Sequence, residues 1–447
     1  MKIKLKDNQV VPEDYQGKRF IKDICDKNLD RLGDMGVLTF PQSLSNSTDL
    51  NAQDSYLMAH YNGQLRTTNL VGMVTLSGKR RHHQLMIGSR MDSGSHDYFL
   101  KYMLYRVLHV NLLASKDFDF GATNGVNVLA LFIPALLNKA LRAGLYKAYT
   151  DVRLNDYQIQ GQLDFKRQLK TNVPFVGRFA SQSHQFTYDT PVLELVRHAI
   201  EVMRGDAQLR GLLSADETIR QSVRLVVEHT PNYRAQDRRN LLRQYRMVRI
   251  RNNYYADYRP LLRVCRAFLE GKSLIPSQGA RFNGVLIDIA WLFEEYVGRL
   301  LEPEYVHSHN REGEAEQRLF QNVWDKGVIY PDYLKRGKPQ IPLDAKYKFT
   351  AGIASHDRLQ MLAYMLRFQS KRGMLIHLSG KDKTDDKASV VDFPVEGEYA
   401  NEGQRPVLVE YGIGIPKADS WTDFVDGMNE QEEQLKTYVT ESLIDGF

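Results

Sequence analysis

Cysteine is nearly absent: Cys25 and Cys265 are the only two among 447 residues. A pair so far apart excludes a disulfide framework, and two thiols are too few for a four-cysteine zinc site. No apolar run reaches the ~20 residues needed to cross a bilayer. The longest candidate, Val126 to Leu137, is broken by Asn127 and Pro134. The basic start, Met1-Lys2-Ile3-Lys4-Leu5-Lys6, lacks the continuous apolar stretch of a secretory signal. Glycine (31) and proline (15) are too sparse for a collagen-like or linker-type chain. No internal repeat or low-complexity segment suggests a solenoid. Also missing is any Gly-x-x-x-x-Gly-Lys-Ser/Thr phosphate loop, so a nucleotide motor working with this chain is expected on a separate polypeptide. The Gly-x-Ser-x-Gly elbow of serine hydrolases is absent as well. These absences lead us to expect a cytoplasmic protein with no membrane partner.

What is present suits a globular chain of two or three domains, with 43% apolar and 26% charged residues. The formal net charge of +6, from 60 basic and 54 acidic residues, is modest for this length. Its distribution says more. Residues 233–251 hold seven arginines against one aspartate. Such a band suits a polyanion, because each phosphate contact releases counterions. Arg238, Arg239, Arg243 and Arg246 are its candidate DNA contacts; a solvated helix face with charges paired elsewhere fits the same pattern.

Along the chain, three regions are expected. Residues 1–95 alternate in the manner of strands. Val71–Leu76 and Gln84–Ser89 flank a very basic hairpin tip, Lys79-Arg80-Arg81, and Ser43–Asp54 reads as a loop. Residues 96–272 read as mainly helical. A buried helix starts after Asp97, another spans Val126 to Leu145, and Thr190-Pro191 opens a third as N-cap and first turn. Gln158–Leu163 alternates like a strand. Ser273–Gly284, broken by Pro276, Gly279 and Gly284, is the clearest boundary, and residues 280–447 form the last region. The fold class is thus α+β and multidomain.

The chemistry concentrates after that boundary. Val285 to Leu301 reads as an apolar helix with adjacent glutamates. Glu295 has Arg299 four positions on, so it can pair there and face water. Glu294 has Ala290, Trp291, Val297 and Gly298 around it, and a carboxylate on an apolar face must be paired, bind metal or be neutralised. Gly327–Leu334, a Gly/Pro turn and Gln340–Phe349 then read as strand, turn, strand. The period of two puts Leu343, Ala345, Tyr347 and Phe349 on one face and Asp344, Lys346 and Lys348 on the other. Asp332, ending the first strand, is brought alongside Asp344 by the turn. Two carboxylates and a lysine on one sheet face suit a hard cation: Mg²⁺ there activates a water and stabilises charge on a scissile phosphate. Lys346 would orient the water or a phosphate oxygen. In the next helix Gln360 and Tyr364 share a face, where they support the lysine, touch DNA, or in the case of Tyr364 simply pack. His307 and His309 lack a third ligand nearby and read as surface loop.

Glu294, Pro331-Asp332, Asp344-Ala345-Lys346 and Gln360 together resemble the PD-(D/E)xK nuclease core. More specifically, Leu286-Ile287-Asp288 through Phe293-Glu294-Glu295-Tyr296-Val297, Tyr330-Pro331-Asp332 and Leu343-Asp344-Ala345-Lys346-Tyr347-Lys348 resemble the McrC-type subunit of McrBC modification-dependent restriction systems. The resemblance extends upstream through Arg142–Tyr149, Ile159–Asp164 and Asp189-Thr190-Pro191, covering roughly residues 95–370. It implies an α/β endonuclease domain over 280–447. It further implies Mg²⁺-dependent cleavage of double-stranded DNA, and binding and stimulation of a hexameric AAA+ GTPase that alone binds GTP. Asp332 and Asp344 would ligate Mg²⁺, Lys346 would assist the attacking water, and Glu294 would be an auxiliary acid. Related subunits insert an N-terminal finger into the ring; Lys79, Arg80 and Arg81 are the candidate here, a solvated basic turn being the other reading. The alternative function is a non-catalytic bridging or regulatory subunit with a vestigial nuclease fold. A nuclease acting alone in repair or transposition is a third reading.

Overall fold

The computed structural model describes the chain apart from residues 26, 42–55, 79–80, 93–96, 109–124, 245–249, 251, 273–280, 309–316, 322–326, 381–386, 400, 402, 404 and 444–447. The expected Ser43–Asp54 loop, the tip residues Lys79 and Arg80, Arg246 and His309 therefore lie outside the described residues. It is a mixed α/β structure in two compact units. One comprises Met1–His109, Asp119–Gly125 and Pro276–Phe447; the other comprises Val110–Phe118 and Val126–Ile275. The strand-rich start and the C-terminal region, read from sequence as separate domains, thus share one unit. No described helix is long and apolar enough to cross a membrane.

The reason lies in one strand. Arg281–Asp288 pairs antiparallel with Leu70–Gly78 and parallel with Val37–Phe40. It completes a five-stranded sheet with Arg81–Gly88 and Lys2–Lys6. Sequence had read Val285–Asp288 as helix, because a continuous apolar run fits a buried strand and a buried helix equally. The pairing with Leu70–Gly78 is close: a Cβ at Gly72 (φ 132°) would lie 2.1 Å from the Val285 oxygen, and one at Gly284 2.1 Å from the Met73 oxygen. Glycine alone fits both places. The core of this sheet is aliphatic, with Ile3, Leu5, Val74, Leu85, Ile87 and Leu286 buried together. Strand becomes helix at Asp288, whose carboxylate accepts from Ala290 N at 2.9 Å and Trp291 N at 3.3 Å, starting the Ile289–Leu301 helix.

The second sheet of this unit has six strands, in the order Tyr305–His307, Tyr333–Lys335, Pro342–Phe349, Arg372–Leu378, Val407–Ile413, Ser389–Pro394. The three strands from Pro342 to Ile413 in that order run parallel, and antiparallel strands flank them. The Ile289–Leu301 helix covers one face, with Phe293 packed 5.9 Å from the Tyr347 ring. The Ser355–Phe368 helix covers the other, where Met361 and Met365 lie over Gly373. Sequence had drawn one strand from Gly327 to Leu334. Instead Val328–Ile329 pairs with Gln317–Arg318, and Tyr333 begins a separate strand. Pro331, with no N–H to offer a ladder, separates them.

The Tyr98–Leu108 helix starts on Asp92, whose carboxylate accepts from Phe99 N at 2.7 Å and Leu100 N at 3.3 Å. Burial, aided by the Asp97 carboxylate, pushes the Asp92 pKa up to about 7. The folded state therefore holds this proton longer than the unfolded chain does. The stabilisation is complete below about pH 4 and is lost as pH rises through about 7. Asp92→Asn, which mimics the neutral acid, should gain on the wild type by on the order of 2 kcal/mol between pH 5 and 8. Urea unfolding at both pH values checks this; a difference that does not change with pH refutes it.

The second unit holds the antiparallel strands Ala148–Asp156 and Phe179–Thr187 and a set of helices. Of the expected Gln158–Leu163 strand only Gln162–Leu163 pairs, with Gln160 to Gly161 turning before it. Thr190 caps Pro191–Gly205 as expected, accepting from Leu193 N. Arg238, Arg239 and Arg243 fall on a short helix, Arg238–Gln244, that buries Leu241 and Leu242.

Candidate active site

Tyr333 pairs with Leu343 and Leu334 with Pro342. Continued one step, that register sets Asp332 directly opposite Asp344. Like charges facing across two strands are destabilising, so this is not a pairing that packing would select. Both side chains are buried, at 9% and 2% exposure. Asp332 Oδ2 accepts from Ala345 N at 2.8 Å, which ties the turn to the neighbouring strand. Lys346 Nζ lies 2.6 Å from Asp344 Oδ2. The pair is desolvated on the carboxylate side, where the Asp344 side chain is 3% exposed.

The electrostatics follow from three carboxylates around one ammonium. Burial, then Asp344 and Glu294, push the Asp332 pKa well above the usual range, while Lys346 and the Ala345 N–H pull it back. Burial alone would lower the Lys346 pKa, but Asp344, Asp332 and Glu294 outweigh it and raise it. Lys346 therefore stays an ammonium at neutral pH and can donate hydrogen bonds but not accept a proton.

Two further groups brace the turn. The Tyr364 hydroxyl donates to the Tyr330 carbonyl at 3.1 Å and accepts from Gln360 Nε2 at 2.8 Å. Tyr364 is buried while Gln360 reaches the surface. From the other face Tyr333 donates its hydroxyl to the Glu294 carbonyl. Glu294 is half-buried and lines a cavity of about 600 Å³ with Lys346 and Lys348. Lys348 is itself paired with Asp357 at 2.8 Å. Asn8, Asn69 and Arg90 form another part of its wall.

Two expectations need correction. Glu295 does not pair with Arg299 or face water: it is 16% exposed beside His307, 4.0 Å away, and Arg299 lies 3.8 Å from Glu302. The i,i+4 rule supplies a possible partner, but tertiary burial decided this one. His307 is no loop residue. It sits in the Tyr305–His307 strand, 13% exposed, with its ring 4.9 Å from Tyr333. Sequence also passed over Arg90, Asn8 and Asn69, which no local pattern ties to residues more than 200 positions away.

Among the described residues no three His, Cys, Asp or Glu side chains form a group that could hold a metal ion. The donor set nonetheless fits a hard cation. Mg²⁺ commonly takes only one or two carboxylates, completing its shell with water and substrate phosphate oxygens. Two buried carboxylates side by side, with Glu294 adding a third negative charge against one ammonium, provide for that. An all-oxygen pair does not suit zinc.

Facing aspartates with a lysine on a mixed sheet, and a glutamate beside them, form an acidic cluster in an α/β protein. The chain belongs to the family described as "McrBC 5-methylcytosine restriction system component", whose model matches residues 65–377. Two solved structures from Thermococcus gammatolerans are similar at low identity. One is a half-complex from a tetradecameric assembly of McrB AAA+ hexamers with bound McrC (17% identity, 96% of this chain and 100% of that one, TM-score 0.45). The other is a cryo-EM structure of the McrBC complex (14%, 68% and 88%, TM-score 0.31). No curated protein matches the chain.

Proposed function

We propose that this chain is the endonuclease subunit of a GTP-dependent, modification-dependent restriction complex, with a PD-(D/E)xK-type site that hydrolyses DNA phosphodiesters. The observation that carries this reading is the register that opposes Asp332 to Asp344, with Lys346 two residues on and Glu294 nearby. A fold that tolerates so costly a juxtaposition has a use for it. Asp332 and Asp344 would hold Mg²⁺, which supplies an activated water and charge stabilisation at the scissile phosphate. Lys346, kept protonated by its carboxylates, orients the water and donates to a phosphate oxygen. Glu294 adds negative charge at the cavity rim and so favours the cation. Tyr364 and Gln360 hold the Tyr330–Asp332 turn so that Asp332 meets the strand. The partner, an AAA+ GTPase of the McrB type, follows from membership of a restriction system and from the missing phosphate loop. DNA contact by Arg238, Arg239 and Arg243 belongs to the same reading, as does entry of the Lys79–Arg81 hairpin into a ring.

Reconstitution with the partner tests this reading. The complex should cut methylated double-stranded DNA only when GTP and Mg²⁺ are both present, and the chain should accelerate GTP hydrolysis by the partner. A complex that hydrolyses GTP at the accelerated rate but leaves methylated DNA intact would identify a bridging subunit instead.

A further inference from the structure

The strand that carries Asp344 and Lys346 loses its regular pairing where Lys346 sits. Ala345 pairs with Ile376 and Phe349 with Leu378, so Lys346, Tyr347 and Lys348 span a stretch that the neighbouring strand covers with His377 alone. A strand with surplus residues bends and leaves part of its ladder unmade, which re-aims side chains but gives up backbone hydrogen bonds that would hold them. Support for this stretch comes from the other sheet. Ser89 and Arg90 follow the Arg81–Gly88 strand, and together they grip Tyr347 at both ends. Ser89 Oγ is 2.7 Å from the Tyr347 hydroxyl, and Arg90 Nη2 donates to the Tyr347 carbonyl at 2.8 Å. The guanidinium also lies over the Tyr347 ring, 5.0 Å from its centre.

Arg90 is in turn held from behind. Its Nη1 donates to Asp7 Oδ2 at 2.8 Å and its backbone N–H donates to Asp7 Oδ1 at 2.5 Å. Asp7 is 1% exposed, so this pair is desolvated and geometrically fixed on the carboxylate side. One planar fork thus joins a buried anchor to a carbonyl one residue from Lys346. A lysine has a single ammonium and cannot reproduce that two-ended geometry.

We propose that Arg90 is a positioning residue for Lys346: it fixes the irregular Lys346–Lys348 stretch from the N-terminal sheet and so sets the aim of the Lys346 ammonium. This rests on the reading of Asp344 and Lys346 as the cleavage site. Arg90 acts on the rate of the chemical step and not on DNA affinity, although it lines the same cavity.

The test uses the full chain with its GTPase partner, DNA, GTP and Mg²⁺, and compares Arg90→Lys, Tyr347→Phe, Lys346→Ala and Arg90→Lys/Lys346→Ala. Arg90→Lys should lower the single-turnover cleavage rate constant about 10- to 100-fold, the range for groups that orient a reacting residue. DNA affinity and GTPase stimulation should stay within about 2-fold of wild type, inside ordinary mutational scatter. Tyr347→Phe, which deletes only the Ser89 bond, should fall between Arg90→Lys and wild type and covers the case of a misfolded Arg90 variant. Hydrogen exchange should rise in peptides spanning Pro342–Phe349 and nowhere else in the sheet. In the Lys346→Ala background Arg90→Lys should have no further effect, because its action passes through the missing ammonium. A full rate constant in folded Arg90→Lys overturns the proposal, as does a parallel loss of DNA affinity, which would make Arg90 a DNA contact. If Lys346→Ala cuts as fast as wild type, the cleavage-site reading fails and the proposal with it; the two failures are thereby told apart.

Discussion

Asp344→Ala and Lys346→Ala complexes should bind DNA, bind the GTPase and stimulate it, yet fail to cut. Asp344 is buried and directly paired with Lys346, and it faces Asp332 across the strands. Removing it takes away one of the two carboxylates proposed to hold the cation and the group paired with the ammonium. Lys346→Ala removes an ammonium on which both Asp332 and Asp344 act. Loss of one group that orients or protonates in the transition state costs on the order of 10²–10⁴-fold in rate. Loss of a carboxylate ligand should cost at least as much. Stimulated GTP hydrolysis serves as the folding control, since it needs an intact chain but no metal at this site. Cleavage at wild-type rate by either purified variant complex removes the site from consideration.

Asp332→Asn should uncouple stability from activity. In the wild type a carboxylate is buried opposite another, and its raised pKa records the cost. Asparagine keeps an oxygen to accept from Ala345 N and drops the charge, so the variant should be more stable in EDTA. A gain of about 1 kcal/mol, roughly 1–2 °C in Tm for a chain of this length, is the scale expected for one such relief. The sign with pH follows from the raised folded-state pKa. The wild type loses the stability of its protonated Asp332 as pH rises above the ordinary carboxylate value, so the advantage of the variant grows with pH. Added Mg²⁺ should reverse the order. Saturation at 100 times Kd stabilises a binding-competent fold by about 2.7 kcal/mol, and Asp332→Asn should gain much less. Melting curves with EDTA and with Mg²⁺ at pH 8 decide it. A wild type that is the more stable in EDTA, or equal Mg²⁺ shifts in both proteins, would contradict a shared cation site.

The local arrangement of Asp332, Asp344 and Lys346 was legible in the sequence. The alternation of Leu343, Ala345 and Tyr347 with Asp344 and Lys346 is a period-two pattern, and it predicted buried and charged faces up to Lys346. The turn between Asp332 and Asp344 is short enough that their approach follows from chain length. Thr190 at a helix N-cap and the Tyr98–Leu108 helix were likewise local matters of capping and periodicity. Readings failed where local chemistry was degenerate. Val285–Asp288 has the composition of a buried element of either kind and became a strand because Leu70–Gly78 and Val37–Phe40 were there to pair with it. Glu295 had a partner at helical spacing and took its place beside His307 instead.

Short-range pattern was enough to set the two aspartates and the lysine side by side, because strand alternation and turn length act over a dozen residues or so. Sequence could not announce that Ser89 and Arg90 stand against Tyr347, or that a strand beginning at Arg281 closes the N-terminal sheet. Those contacts join residues more than 190 positions apart. They arise from sheet register, from glycines that permit close strand approach, and from burial, which select partners only once the chain has folded.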